Sequence, residues 1–313
     1  MELSWMFVLK IGASLAGVIA GMGMFSELTW PVKLKVTATL LVGIILIGLL
    51  APIGTPVEPF APVSVSSFGG ATILAILAVL TGFISFFLAW PNGREIGILA
   101  VPAGLAIWAV RGGSMADLMR LAPTLAQRQE LFAALKWEPI FWLAIVAAGF
   151  GGVLIGEHIV ARPSSIVPRY SLLASRIFAV VASVVIAQFC IGIFAQGIRI
   201  PDHRLGSAMS QPAVGQIVFA VLVSFGITAF LVKKFLNAGY IWPASASALT
   251  TGFTIITSLR QDTLQQLVER HPPVFFPISV ISIMPLQMVA FGVLGSIAGY
   301  WLAVRVNFQQ KHI

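Results

Sequence analysis

Long apolar runs, separated by charged or Pro/Gly-rich breaks, recur from one end of this chain to the other, and they decide which solvent it folds in. They fall near residues 5–26, 37–52, 69–90, 96–110, 139–158, 176–197, 214–232, 241–258 and 275–303. A helix needs roughly 17 to 25 residues to cross about 30 Å of hydrocarbon, and most of these runs supply them. With 58% hydrophobic and 10% charged residues, the chain cannot cover a water-facing surface. The runs are continuous, whereas a transmembrane barrel shows ten-residue alternations. The expected fold is therefore all-α: a polytopic helical membrane protein with about nine spans, eight to ten allowing for the weakest run, in one integral membrane domain.

That weakest run is "IGILAVPAGLAIWAV", whose fifteen residues rise only about 22 Å and hold Pro102. A re-entrant path there would invert everything after it. Residues 275–303 form the longest run and contain Pro277 and Pro285, so a kinked span is expected. No repeat of fixed period is visible, and an odd number of spans argues against two equal inverted halves.

A net charge of +8 suggests nucleic acid in a soluble protein. Here the Lys and Arg residues are scattered among the connections, where they act as topology signals, and no nucleic-acid partner is expected. With nine spans, the side holding the C-terminus carries Lys33, Lys35, Arg94, Arg162, Arg169, Arg176, Lys233, Lys234, Arg305 and Lys311. The other side carries fewer basic residues, which places the C-terminus inside, in a membrane read as the bacterial inner one. The expected partners are membrane lipids and other membrane subunits or further copies of the chain.

The long connections fall on the opposite side. In 112–138, Met115, Leu118, Met119 and Ala122 recur at helical spacing and Pro123 stops them. Thr124 followed by Gln127 then has the form of a capping box. Two amphipathic interfacial helices are expected there, and a third over 258–272.

Phosphate loops, zinc-protease helices and nucleophile elbows are all missing from the sequence, and the single cysteine, Cys190, sits in an apolar run. Neither metal nor cofactor is expected, and the reading leans away from an enzyme. Lys10 is the clearest charge inside a run and lies close enough to its end to snorkel. Glu157 and His158 end a span and read as interfacial anchors.

Three features remain. Gly17/Gly21, Gly152/Gly156 and Gly295/Gly299 are GxxxG pairs that permit close helix packing. Arg199, Asp202, His203 and Arg204 form the densest polar cluster, suited to a loop turn, to an anionic headgroup or, in a third reading, to chemistry at the membrane surface. Finally, Ser247, Thr251, Thr254 and Ser258 fall within about 60° of one another on a helix, and Gln287 on the last span is positioned to meet them. The stripe serves either as packing against a helix or as the lining of a polar path. The first alternative, a non-catalytic subunit or assembly scaffold of a membrane complex, ranks above the second, a transporter or channel for a neutral or lipid-like solute.

Overall fold

The computed structural model describes residues 30–50, 68–160, 173–202, 206–258 and 272–310, with positions 264, 265 and 268. Outside the described residues lie the expected first span with Lys10, Gly17 and Gly21, the proline-rich stretch 51–67, His203 and Arg204. Most of the amphipathic segment 258–272 lies there too, as do the side chains of Asp202 and Ser258.

The chain is an all-α membrane protein. Its long helices are α1 (Trp30–Leu50), α2 (Phe68–Leu88), α3 (Gly93–Arg111), α6 (Glu138–Val160), α7 (Leu173–Phe194), α8 (Val214–Leu236), α9 (Ile241–Ser258) and α10 (Pro285–Gln310). Seven stretches of helix among the described residues are long and apolar enough to cross a membrane. The remaining long helix, α9, has 18 residues and its hydroxyls make it less apolar than those seven. Between α3 and α6 stand two short helices, α4 (Met115–Leu121) and α5 (Leu125–Leu135).

Local chemistry sets several of these boundaries. Ser114 and Asp117 form a capping box at the start of α4, and Thr124 and Gln127 form another at α5, each satisfying orphan N–H groups at a helix start. Asn237, with φ 50°, ends α8 in the left-handed region and turns the chain straight into α9. The last helix differs from the expected span. It begins at Pro285, a proline at the first helical position, where a missing N–H costs nothing. Residues 275–284 instead form a short strand and a single 3-10 turn, Ser279–Ser282, so no proline kink lies inside the span.

The weakest run of the sequence becomes the most enclosed helix. Joined to the short helix Gly93–Gly97, it makes up a 19-residue α3 with 78% of its span buried. Gly43 of α1 meets Ala100, Gly48 of α1 meets Gly104 and Ile107, and Arg111 reaches the Gly48 carbonyl at 3.3 Å. Those contacts run in step along both helices, so α3 lies parallel to α1 and is not re-entrant. Its small residues explain the burial, because they let neighbouring backbones approach closely.

The helices fall into two halves with one plan: α1, α2, α3, α6 and then α7, α8, α9, α10. In each half the first and third helices pack side by side, and so do the second and fourth. Short turns join the second helix to the third, at 89–92 and 237–240, and a Trp-Pro pair stands in the first turn, Trp90-Pro91, and just past the second, Trp242-Pro243 at the start of α9. A basic residue near the start of each first helix reaches those tryptophans: Lys35 donates to the Trp90 carbonyl, and Arg176 lies 5.7 Å from the Trp242 ring centre. Four helices per half return the chain to its starting side, so the halves are parallel repeats, not inverted ones. Helix α10 joins the halves by packing on both α3 and α6.

The connections after α3 and α7 and the described part of the one before α10 gather at the other end. There β1 (Arg199–Asp202), β2 (Gly206–Ser210) and β3 (Phe275–Phe276) form an antiparallel sheet in the order β1-β2-β3. Helices α4 and α5 turn their apolar faces onto protein: Met115, Leu118, Met119, Phe132 and Leu135 bury with Ile255, Leu264, Phe276 and Ile281 as a second core. Arg128, 5% exposed, donates from Nε to the Ala122 carbonyl at 3.1 Å and ties the two helices together.

Candidate functional site

Within each half, one glycine pair joins the second helix to the fourth. A methyl group added at Gly152 would collide with the Val79 carbonyl, and one at Gly156 with the Phe86 ring, so α2 and α6 touch through backbone. In the second half, Gly295 sits against the Leu222 carbonyl and Gly299 against Gly226, which joins α8 to α10 the same way. Gly152/Gly156 and Gly295/Gly299 therefore occupy equivalent places in the two repeats. On α8 Gly226 meets both Gly295 and Gly299, while on α2 Gly82 meets Gly149 of α6, and no glycine motif in the sequence singles out Gly82 or Gly226.

The hydroxyl stripe of α9 is turned inward. Ser247 and Thr251 are 0% and 1% exposed, and Ser247 is so close to α10 that a side chain at Gly292 would strike its Cβ. Their hydroxyls bond within their own helix: Ser247 to the Ala244 carbonyl at 2.6 Å, Thr251 to Ser247 at 3.2 Å, Thr254 to Thr250 at 2.6 Å. Such bonds let a polar side chain sit in an apolar setting without a partner across the interface. Gln287 stands apart from the stripe. Its Oε1 accepts from the Met284 N–H at 3.2 Å, while Nε2 donates to the carbonyls of Ala109 at 3.4 Å and Gly113 at 3.3 Å. It thus clamps the start of α10 to the end of α3.

Among the described residues of the stripe, only Thr254 borders open space. A cavity of about 340 Å³ lies between the ends of α7 and α9, the hairpin β1-β2 and the segment before α10. Its wall includes Gln188 and Gly192 of α7, Thr254 and Thr257 of α9, Arg199 and Ser207 of the hairpin, and Ser279. Phe253, Met209, Pro277, Ile278 and Val280 complete it with apolar surface. Of the 199–204 cluster, Arg199 is brought to the cavity. Asp202 lies at the end of β1, where its backbone pairs with Gly206.

The sequence offers no sign that 199–210 is a hairpin, because β3, which completes its sheet, lies some 65 residues further on. At the opposite end of the molecule, Arg94 and Glu157 form an exposed ion pair at 3.3 Å, while His158 is exposed. A second groove, about 280 Å³ between α8 and α10, is lined by apolar residues and glycine alone.

Comparison with protein-family models, with curated proteins and with solved structures finds no match.

Proposed function

We propose that this chain is a non-catalytic subunit or assembly scaffold of a membrane protein complex. The observation that carries the reading is the state of the α9 stripe. Ser247 and Thr251, the residues best placed to line a polar path through the membrane, are packed against α10 and bonded to their own backbone. Glycine-to-backbone contacts in both halves make the bundle a stiff frame, which suits holding partners in place. Rocking of one half against the other, as in many transporters, would have to break the Gln287 clamp to α3.

The proposed setting is a bacterial inner membrane with the Trp-Pro pairs and the C-terminus inside. Lys35, Arg94, Arg176, Lys233 and Lys234 at that end favour this orientation. Extraction in mild detergent followed by native purification should bring down stoichiometric partner subunits. A monodisperse single-chain particle from the native membrane would contradict the proposal. The second reading, carriage of a lipid-like solute, has one observation in its favour, the cavity at Thr254 and Thr257.

A further inference from the structure

We infer that the cavity at the end of α7 and α9 binds one anionic amphiphile, with an acidic headgroup against Arg199 and its tail leaving past Phe253 and Ile278 into the bilayer. The two repeats differ at this place. In the first half, α1 and α3 stay in contact to the end: Gly48 rests against Gly104 and Ile107, and Arg111 closes over the Gly48 carbonyl. In the second half, the equivalent helices α7 and α9 leave about 340 Å³ between their ends, and Gly192 has nothing within 4 Å of where its Cβ would stand. That volume lies within the roughly 300 to 1,000 Å³ of small-molecule sites.

The wall shows what the space suits. It contains one cation, Arg199, and no carboxylate among its lining residues. Among the described residues, the side chains of Arg199, Gln188 and Ser207 form no hydrogen bond, and the Ser279 hydroxyl has only the Met209 sulfur at 3.8 Å. A guanidinium, an amide and hydroxyls without strong partners, gathered around one cavity, are the donors that a phosphate or carboxylate head accepts from. The rest of the lining is apolar, and its Phe253 and Ile278 are 61% and 47% exposed. The hairpin sits where the spans end, at the depth of lipid headgroups, so a ligand there has its charge at Arg199 and its chain in hydrocarbon. This site does not depend on the scaffold reading, since it is tested on the isolated chain.

The test is native mass spectrometry on the full chain, delipidated in detergent and titrated with phosphatidylglycerol or phosphatidylcholine of the same acyl chains. The wild type should retain one phosphatidylglycerol about tenfold more tightly than phosphatidylcholine, the effect of about one charge-assisted hydrogen-bonded contact. Arg199→Gln, a change at an exposed position, should remove that preference. Gly192→Leu, filling the cavity, should lower retention of both lipids. Equal retention of the two lipids by the wild type, or a preference unchanged in Arg199→Gln, overturns the inference. If inorganic phosphate at millimolar concentration displaces the lipid, the site takes a small anion and the amphiphile assignment is refuted. Should Gly192→Leu not yield a monodisperse chain, Arg199→Gln alone decides.

Discussion

Two neighbouring glycines on α6 give a direct test of how the first repeat is held together. Gly151 has nothing within 4 Å of where a Cβ would sit, while Gly152 lies against the Val79 carbonyl and has the Phe83 nitrogen 2.9 Å from the same point. Replacing either by Ala removes the helix-interior penalty of glycine, a gain of about 1 kcal/mol. Only Gly152→Ala must also push α2 away from α6, because the obstacle is backbone and cannot rotate aside. Overpacking of this kind costs about 1 to 3 kcal/mol. The propensity gain is common to both variants and cancels in their difference, so Gly152→Ala should be less stable than Gly151→Ala by about 2 kcal/mol. Unfolding in mixed micelles titrated with SDS, followed by tryptophan fluorescence, reads that difference. If the two variants agree within about 0.5 kcal/mol, the backbone contact between α2 and α6 is not what holds the pair.

Three further outcomes follow from the same geometry. Gly299→Ala, which meets the Gly226 backbone, should show a loss similar to Gly152→Ala in the same titration, whereas Gly252→Ala, with open space, should not. Gln287→Leu leaves the Met284 N–H and the Ala109 and Gly113 carbonyls without their partner and should cost about 1 to 3 kcal/mol of unfolding free energy. Glu157→Gln breaks an ion pair whose side chains are 50% and 32% exposed, so it should change stability by less than about 1 kcal/mol, an effect that high salt removes.

The spans and caps were legible in the sequence for a physical reason: each depends on residues close together in the chain. Apolar runs place α2, α6, α7 and α8 within a few residues, and Thr124 with Gln127 locates the start of α5. Features that depend on distant partners were not legible. The hairpin 199–210 is completed by Phe275 and Phe276, Gln287 finds its acceptors on α3, and the repeat shows in the order and contacts of helices without any shared period. Helix α3 reads as the weakest span because length and apolarity describe exposure to lipid, and this helix meets mostly protein. For the site, periodicity places Ser247, Thr251 and Thr254 on one face but does not say what that face meets. That the stripe divides between packing at Ser247 and open space at Thr254 follows from α7 and α9 separating near their ends.

Cysteine accessibility in native membranes decides whether the interior of α9 is packed against α10 and offers no water path. In a Cys190→Ala background, Ser247→Cys, Thr251→Cys and Thr257→Cys are each exposed to a membrane-impermeant, thiol-specific reagent that needs water to react. Thr257→Cys, at the cavity, should be modified, while Ser247→Cys and Thr251→Cys should stay protected. Modification of all three at similar rates would contradict the packed interior and rank transport above scaffolding.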